Sequence, residues 1–82
     1  MPRSWDRDTF LAGRLASGIY SATLQTSFGF PFNGDATVIV LRPTAGYFQT
    51  AFIFYNDSND ANTTQVWANH WRSTGWSNWR EL

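Results

Sequence analysis

The chain has 82 residues, a formal net charge of zero and no cysteine, which bounds it to one small domain or a piece of a longer protein and excludes disulfides, thiolate zinc sites and a thiol nucleophile. All six basic residues are arginine (Arg3, Arg7, Arg14, Arg42, Arg72, Arg80) and they are scattered, whereas a nucleic-acid binder would show a basic stripe. No apolar run approaches the roughly 20 residues of a membrane span, and the opening Met1-Pro2-Arg3-Ser4-Trp5-Asp6 does not read as a signal peptide.

In chain order, Ser4 to Ser17 is the helical stretch. Ser4 is placed to cap it, Asp6 and Asp8 suit a first turn, and Gly18 suits a stop. Phe10, Leu11, Arg14 and Leu15 form a stripe at helical spacing, but Gly13 costs about 1 kcal/mol against alanine, so the helix is expected to be short or irregular. Gly18 to Leu24 reads as a strand. A loop through Phe28, Phe30 and Phe32 ends on the turn pair Asn33-Gly34. Ala36 to Arg42 is apolar on both faces and is predicted to be a central strand. Pro43 to Gly46 turns the chain into a second long strand, Tyr47 to Asn56, with Phe48, Phe52 and Phe54 on one face and Ala51, Ile53 and Tyr55 on the other. After the polar loop 57–62, Thr63 to Trp71 sets Gln65, Trp67, Asn69 and Trp71 against Thr64, Val66, Ala68 and His70. Ser73 to Gly75 turns again and Trp76 to Leu82 closes the chain. Strands joined by turns without intervening helices define a mainly β fold: a small antiparallel sheet with a short N-terminal helical or irregular segment. The expected division is a connecting segment, 1–17, and a β-rich domain, 18–82.

Chemistry is sparse. His70 is the lone histidine and has no acid near it in sequence. No nucleophile-elbow motif occurs, and Asp57 and Asp60 share one loop where a glycosidase needs two carboxylates facing across a cleft. The chain is therefore read as a non-enzyme without a cofactor. Asp57, Asn59 and Asp60 are oxygen ligands of the kind calcium takes, but the loop lacks the glycine and closing glutamate of an EF-hand and reads as a hairpin tip. The sequons at Asn56 and Asn62 carry no secretory context.

The tryptophans are the stronger signal. The chain holds five, with three tyrosines and seven phenylalanines, and each such ring buries about 150–250 Å². Part of that surface is expected to meet a ligand or another subunit. Trp67, Trp71, Trp76 and Trp79 lie beside Gln65, Asn69, His70 and Asn78, and indoles among amides are how proteins hold sugars.

The closing stretch Trp71-Arg72-Ser73-Thr74-Gly75-Trp76-Ser77-Asn78-Trp79-Arg80-Glu81-Leu82 resembles the end of the pyocin-knob domains of phage tail fibres and phage-tail-like bacteriocins. The order of earlier segments is similar too: Gly18-Ile19-Tyr20, Phe30-Pro31-Phe32-Asn33-Gly34, Val38-Ile39-Val40-Leu41 and Tyr47-Phe48-Gln49-Thr50-Ala51. Where that family commonly carries an arginine ahead of its closing tryptophans, this chain has Asn69, so no role tied to that arginine transfers. The resemblance implies a homotrimeric knob at the distal part of a virion tail fibre, assembled in the bacterial cytoplasm, that attaches to host surface polysaccharide or lipopolysaccharide. It assigns Trp76, Trp79 and Leu82 to packing of the last turn against the sheet.

Residues and resemblance together give a receptor-binding module with glycan contacts at Trp67, Asn69, His70 and Trp71, with Asp57, Asn59 and Asp60 of the 57–62 loop on the rim and Tyr47 as a lesser candidate. The rival reading is a trimerising spacer of a tail protein, its aromatics filling the subunit interface.

Overall fold

A computed structural model describes residues 4–42, 49–56, 64–72 and 75–82. The fold is mainly β, as the sequence predicts. One short helix, α1 (Arg7–Leu11), precedes strands β1 (Gly18–Leu24), β2 (Gly34–Leu41), β3 (Thr50–Asn56), β4 (Thr64–Arg72), β5 (Gly75–Trp76) and β6 (Arg80–Glu81). They form one antiparallel sheet in the order β1-β2-β3-β4, with β5 and β6 both paired to β4.

The helix is shorter than its apolar stripe. Asp6, not Ser4, caps it: its carboxylate accepts from the Thr9 N–H at 3.2 Å and from the Thr9 hydroxyl at 2.8 Å. Gly13, not Gly18, ends it. With φ at 74°, Gly13 sits where L-residues are strained, its N–H donates to the Phe10 carbonyl, and the Arg14 N–H donates to the Thr9 carbonyl. That pair of bonds is a Schellman stop. Gly18 instead opens β1 opposite Val40.

Alternation decides the rest. β1, β2 and β3 bury Tyr20, Ala22, Leu24, Val38, Val40, Ala51 and Ile53 on one face, and the register pairs them as Tyr20–Val38–Ile53 and Val40–Ala51. β2 lies between β1 and β3, yet only one of its apolar faces is in the core; on the other, Leu41 is exposed and Ile39 half-buried. Asn33-Gly34 is not a two-residue hairpin. Gly34 already pairs with Leu24, the chain between them passes through a 3-10 turn at Thr26–Phe28, and Asn33 closes that loop by accepting from the Thr26 N–H at 2.9 Å.

The segment before β1 joins the same core. Phe10 and Leu15 are buried in it, and the Phe10 ring stacks on Trp76 at 4.6 Å between centroids and on Trp79 at 6.3 Å. Gln49, just ahead of β3, is fully buried. Its Nε2 donates to the Leu15 carbonyl at 2.9 Å, and its own carbonyl accepts from the Trp71 N–H at 2.7 Å. The helical segment is thereby bolted to one end of the sheet.

Candidate functional site

Strand alternation separates the four residues singled out on β4. Trp67, Asn69 and Trp71 point to the core side, opposite Ile53 and Ala51 in register, while His70 points to the outer side beside Thr50. They do not converge on one surface.

Asn69 is buried at 4% exposure, and its amide is fully engaged. Its Nδ2 donates to the Ser77 carbonyl at 2.8 Å, and its Oδ1 accepts from the Ser77 hydroxyl and from the His70 N–H. It locks the last turn to β4, a packing role that its neutrality allows at a site closed to water. Trp67 packs against the core and donates from Nε1 to the Gln65 side chain at 3.1 Å. Trp71 is half-buried, edge-on to Trp76 at 5.7 Å. Tyr47, Asp57, Asn59 and Asp60 lie outside the described residues.

Of the closing motif, Trp76 and Trp79 pack against the core and Leu82 does not. Trp76 and Trp79 stack on Phe10 rather than on the sheet alone, and Trp76 Nε1 donates to the Phe10 carbonyl at 2.8 Å. The Leu82 side chain stands out at 67% exposure; only its backbone pairs, N–H to the Val66 carbonyl at 2.8 Å.

The outer face of the sheet is where functional groups gather. Across it runs the register row Ile19–Ile39–Phe52–Ala68–Arg80. Two concavities lie along this face. One, about 490 Å³, is lined by Ser21, Thr23, Asp35, Thr37, Phe54 and Asn56, but its polar groups are partly spent: Thr23 donates to Asp35 at 2.7 Å and Thr64 to Asn56 at 2.7 Å. The other, about 400 Å³, has Phe52 and Ala68 among its walls, with Thr50, His70, Asn78, Arg80 and Leu82 around them. His70 is exposed, 3.4 Å from the Ser77 hydroxyl, whose proton goes to Asn69. Phe52, Asn78 and Arg80, which line this concavity, are not among the site residues singled out from the sequence. The signal was available: alternation puts Phe52 and His70 on the same face once Ala51 and Asn69 are recognised as paired inward.

Among the described residues no group of three His, Asp or Glu side chains is placed to hold a metal ion, and no helix is long and apolar enough to cross a membrane. Compared with family models, curated proteins and solved structures, the chain matches none.

Proposed function

We propose that this chain is a non-enzymatic receptor-binding module that recognises a cell-envelope glycan through the outer face of its sheet. The observation that carries the reading is the concavity beside β4: an aromatic ring, Phe52, flanked by His70, Asn78, Arg80 and Thr50. An apolar ring face beside short polar arms is the arrangement that holds a sugar by stacking and by hydrogen bonds to its hydroxyls. The amide at Asn69 is committed to Ser77, so the sugar contacts move from the tryptophans to this face. His70 stays in the site, and Trp67 becomes its structural backing. The Ser77 hydroxyl turned toward Asn69 gives His70 no activated nucleophile, which supports binding without chemistry.

The order of segments shared with pyocin-knob domains supports placing the module on a virion tail fibre as one of three copies, where repetition multiplies a weak sugar contact. The host polysaccharide or lipopolysaccharide is then the partner. The test is binding of the oligomer to purified envelope polysaccharide. Asn78→Ala and Arg80→Ala, both at exposed positions, are each expected to weaken binding about tenfold, while Trp67→Phe is expected to leave affinity unchanged. Unchanged affinity in both surface variants would remove the outer-face site.

The row Ile19–Ile39–Phe52–Ala68, with Ile19 at 53% and Leu41 at 50% exposure, favours a second reading. In it the domain is a trimerising spacer whose outer face meets another subunit.

A further inference from the structure

A third concavity, about 440 Å³, opens at the end of the sheet where Ala12, Gly13 and Arg14 leave the helix beside Arg42 and Trp71. We infer that it is a binding site for a negatively charged sugar, with Arg14 and Arg42 holding the anion and the Trp71 indole forming the wall for the sugar ring.

The charges point to an anion. Arg42 lies close to Arg14, its Nη1 donating to the Arg14 carbonyl at 3.3 Å. Both arginines line the cavity, and two cationic residues at one cavity are suited to sharing an anion. Among the described residues neither meets a carboxylate; the ion pair recorded there is Arg7 with Asp8, on the far side of the helix stop. Among the described residues Arg42 spends one of its five side-chain donors, on the Arg14 carbonyl.

The walls are held in advance. Gly13 lies so close under the indole that a Cβ there would fall 2.6 Å from the Trp71 ring, so the ring is fixed on one side. Trp76 fixes it from the edge. Gln49 ties the Leu15 carbonyl to the Trp71 N–H, and Ser17 Oγ accepts from the Arg42 N–H at 2.7 Å. The arginine-bearing strand end, the helix exit and the tryptophan therefore meet a ligand without reordering, which lowers the entropic cost of binding. An indole in a cavity lined by two arginines matches a sugar carrying a carboxylate or a phosphate better than it matches either a bare ion or a neutral sugar.

This site is separate from the outer face and does not depend on that reading. The experiment follows the Trp71 indole N–H by NMR in the intact chain, the signal being assigned by its loss in Trp71→Phe. Ligands are glucuronic acid, glucose 6-phosphate, glucose and inorganic phosphate, at about 0.01 M ionic strength where the Debye length is roughly 30 Å. At least one charged sugar is expected to shift the signal and glucose is not; the tighter of the two charged sugars identifies the anion. Arg14→Gln, at an exposed position, and Arg42→Gln are each expected to weaken binding about tenfold. Equal binding of glucose, inorganic phosphate binding as tightly as either charged sugar, no shift with any anion, or unchanged affinity in Arg14→Gln would overturn the assignment. Asn78→Ala leaves this site intact, so failure here and failure at the outer face are read independently.

Discussion

Gly13 carries more of the fold than any residue of its size. It is the left-handed step that stops the helix and the floor on which the Trp71 ring rests. Two costs therefore attach to Gly13→Ala: a positive φ, about 1–2 kcal/mol for an L-residue, and overlap with an indole boxed in by Trp76. Together we expect a loss of about 2–5 kcal/mol in urea unfolding. In a Trp71→Ala background only the backbone cost remains, so the pair is expected to be non-additive, with the second substitution costing about 1–2 kcal/mol. Additive losses would mean that the indole does not rest on Gly13. Asp6 acts at the other end of the helix. The Thr9 hydroxyl, then the Thr9 N–H, bond its carboxylate and hold its pKa below the ordinary 3.8. A folded pKa below the unfolded one means that the ionised form is favoured by folding. The stabilisation is whole above the unfolded value and is lost as pH falls through the lower folded value. Asp6→Asn keeps a capping oxygen and removes the titration. The variant is expected to show a shallower loss of stability than the parent on the acid side of pH 3.8, read from thermal melts.

At the level of elements, the strands were legible because their burial repeats every two residues. β1 falls on its expected bounds, and the inward set Ala51, Ile53 and Tyr55 is the set that alternation isolates. What alternation does not say is which face of β4 is inside. That depends on the register Ala51–Asn69 and Ile53–Trp67, a long-range fact, and it moves Trp67 and Asn69 from a sugar site into packing. The helix is short, as Gly13 predicts, but its bounds differ for a local reason: glycine at that distance from a cap acts as a stop and not as a costly interior residue. The two-residue strands β5 and β6 have no periodicity to read at all. They exist because Trp76 and Trp79 are drawn onto Phe10, which brings the last turn alongside β4. Trp76 should then be worth two separable amounts. Trp76→Phe retains the stack and drops the bond to the Phe10 carbonyl, an expected loss of about 1 kcal/mol. Trp76→Ala drops both, about 3 kcal/mol for a half-buried tryptophan. Equal losses in equilibrium unfolding would show that the N–H bond, not the ring, does all the fastening.

The whole molecule has one face too many for its core. The inner side of the sheet is closed by the helix segment and the closing tryptophans. The outer side is open, with Ile19, Leu41, Phe54 and Leu82 all exposed. The Cα envelope spans 38 × 28 × 21 Å, so that face offers roughly 1,000 Å², little more than the about 800 Å² per partner of one standard interface. A glycan and a neighbouring subunit cannot both claim it, since Phe52 stands in the middle of either footprint. Recognition and trimerisation through this face are therefore exclusive, and a single substitution at its margin separates them. Ile19 lies on the terminal strand β1, at the end of the Phe52 row and away from the β4 concavity. A glutamate there costs a free chain no more than about 0.5 kcal/mol, as exposed substitutions do. If the face is a sugar site, Ile19→Glu is expected to leave both the three-chain mass in light scattering and the affinity for polysaccharide as they were. A fall from three-chain to one-chain mass would show the row packed between subunits, and would transfer the sheet's open face from ligand to assembly.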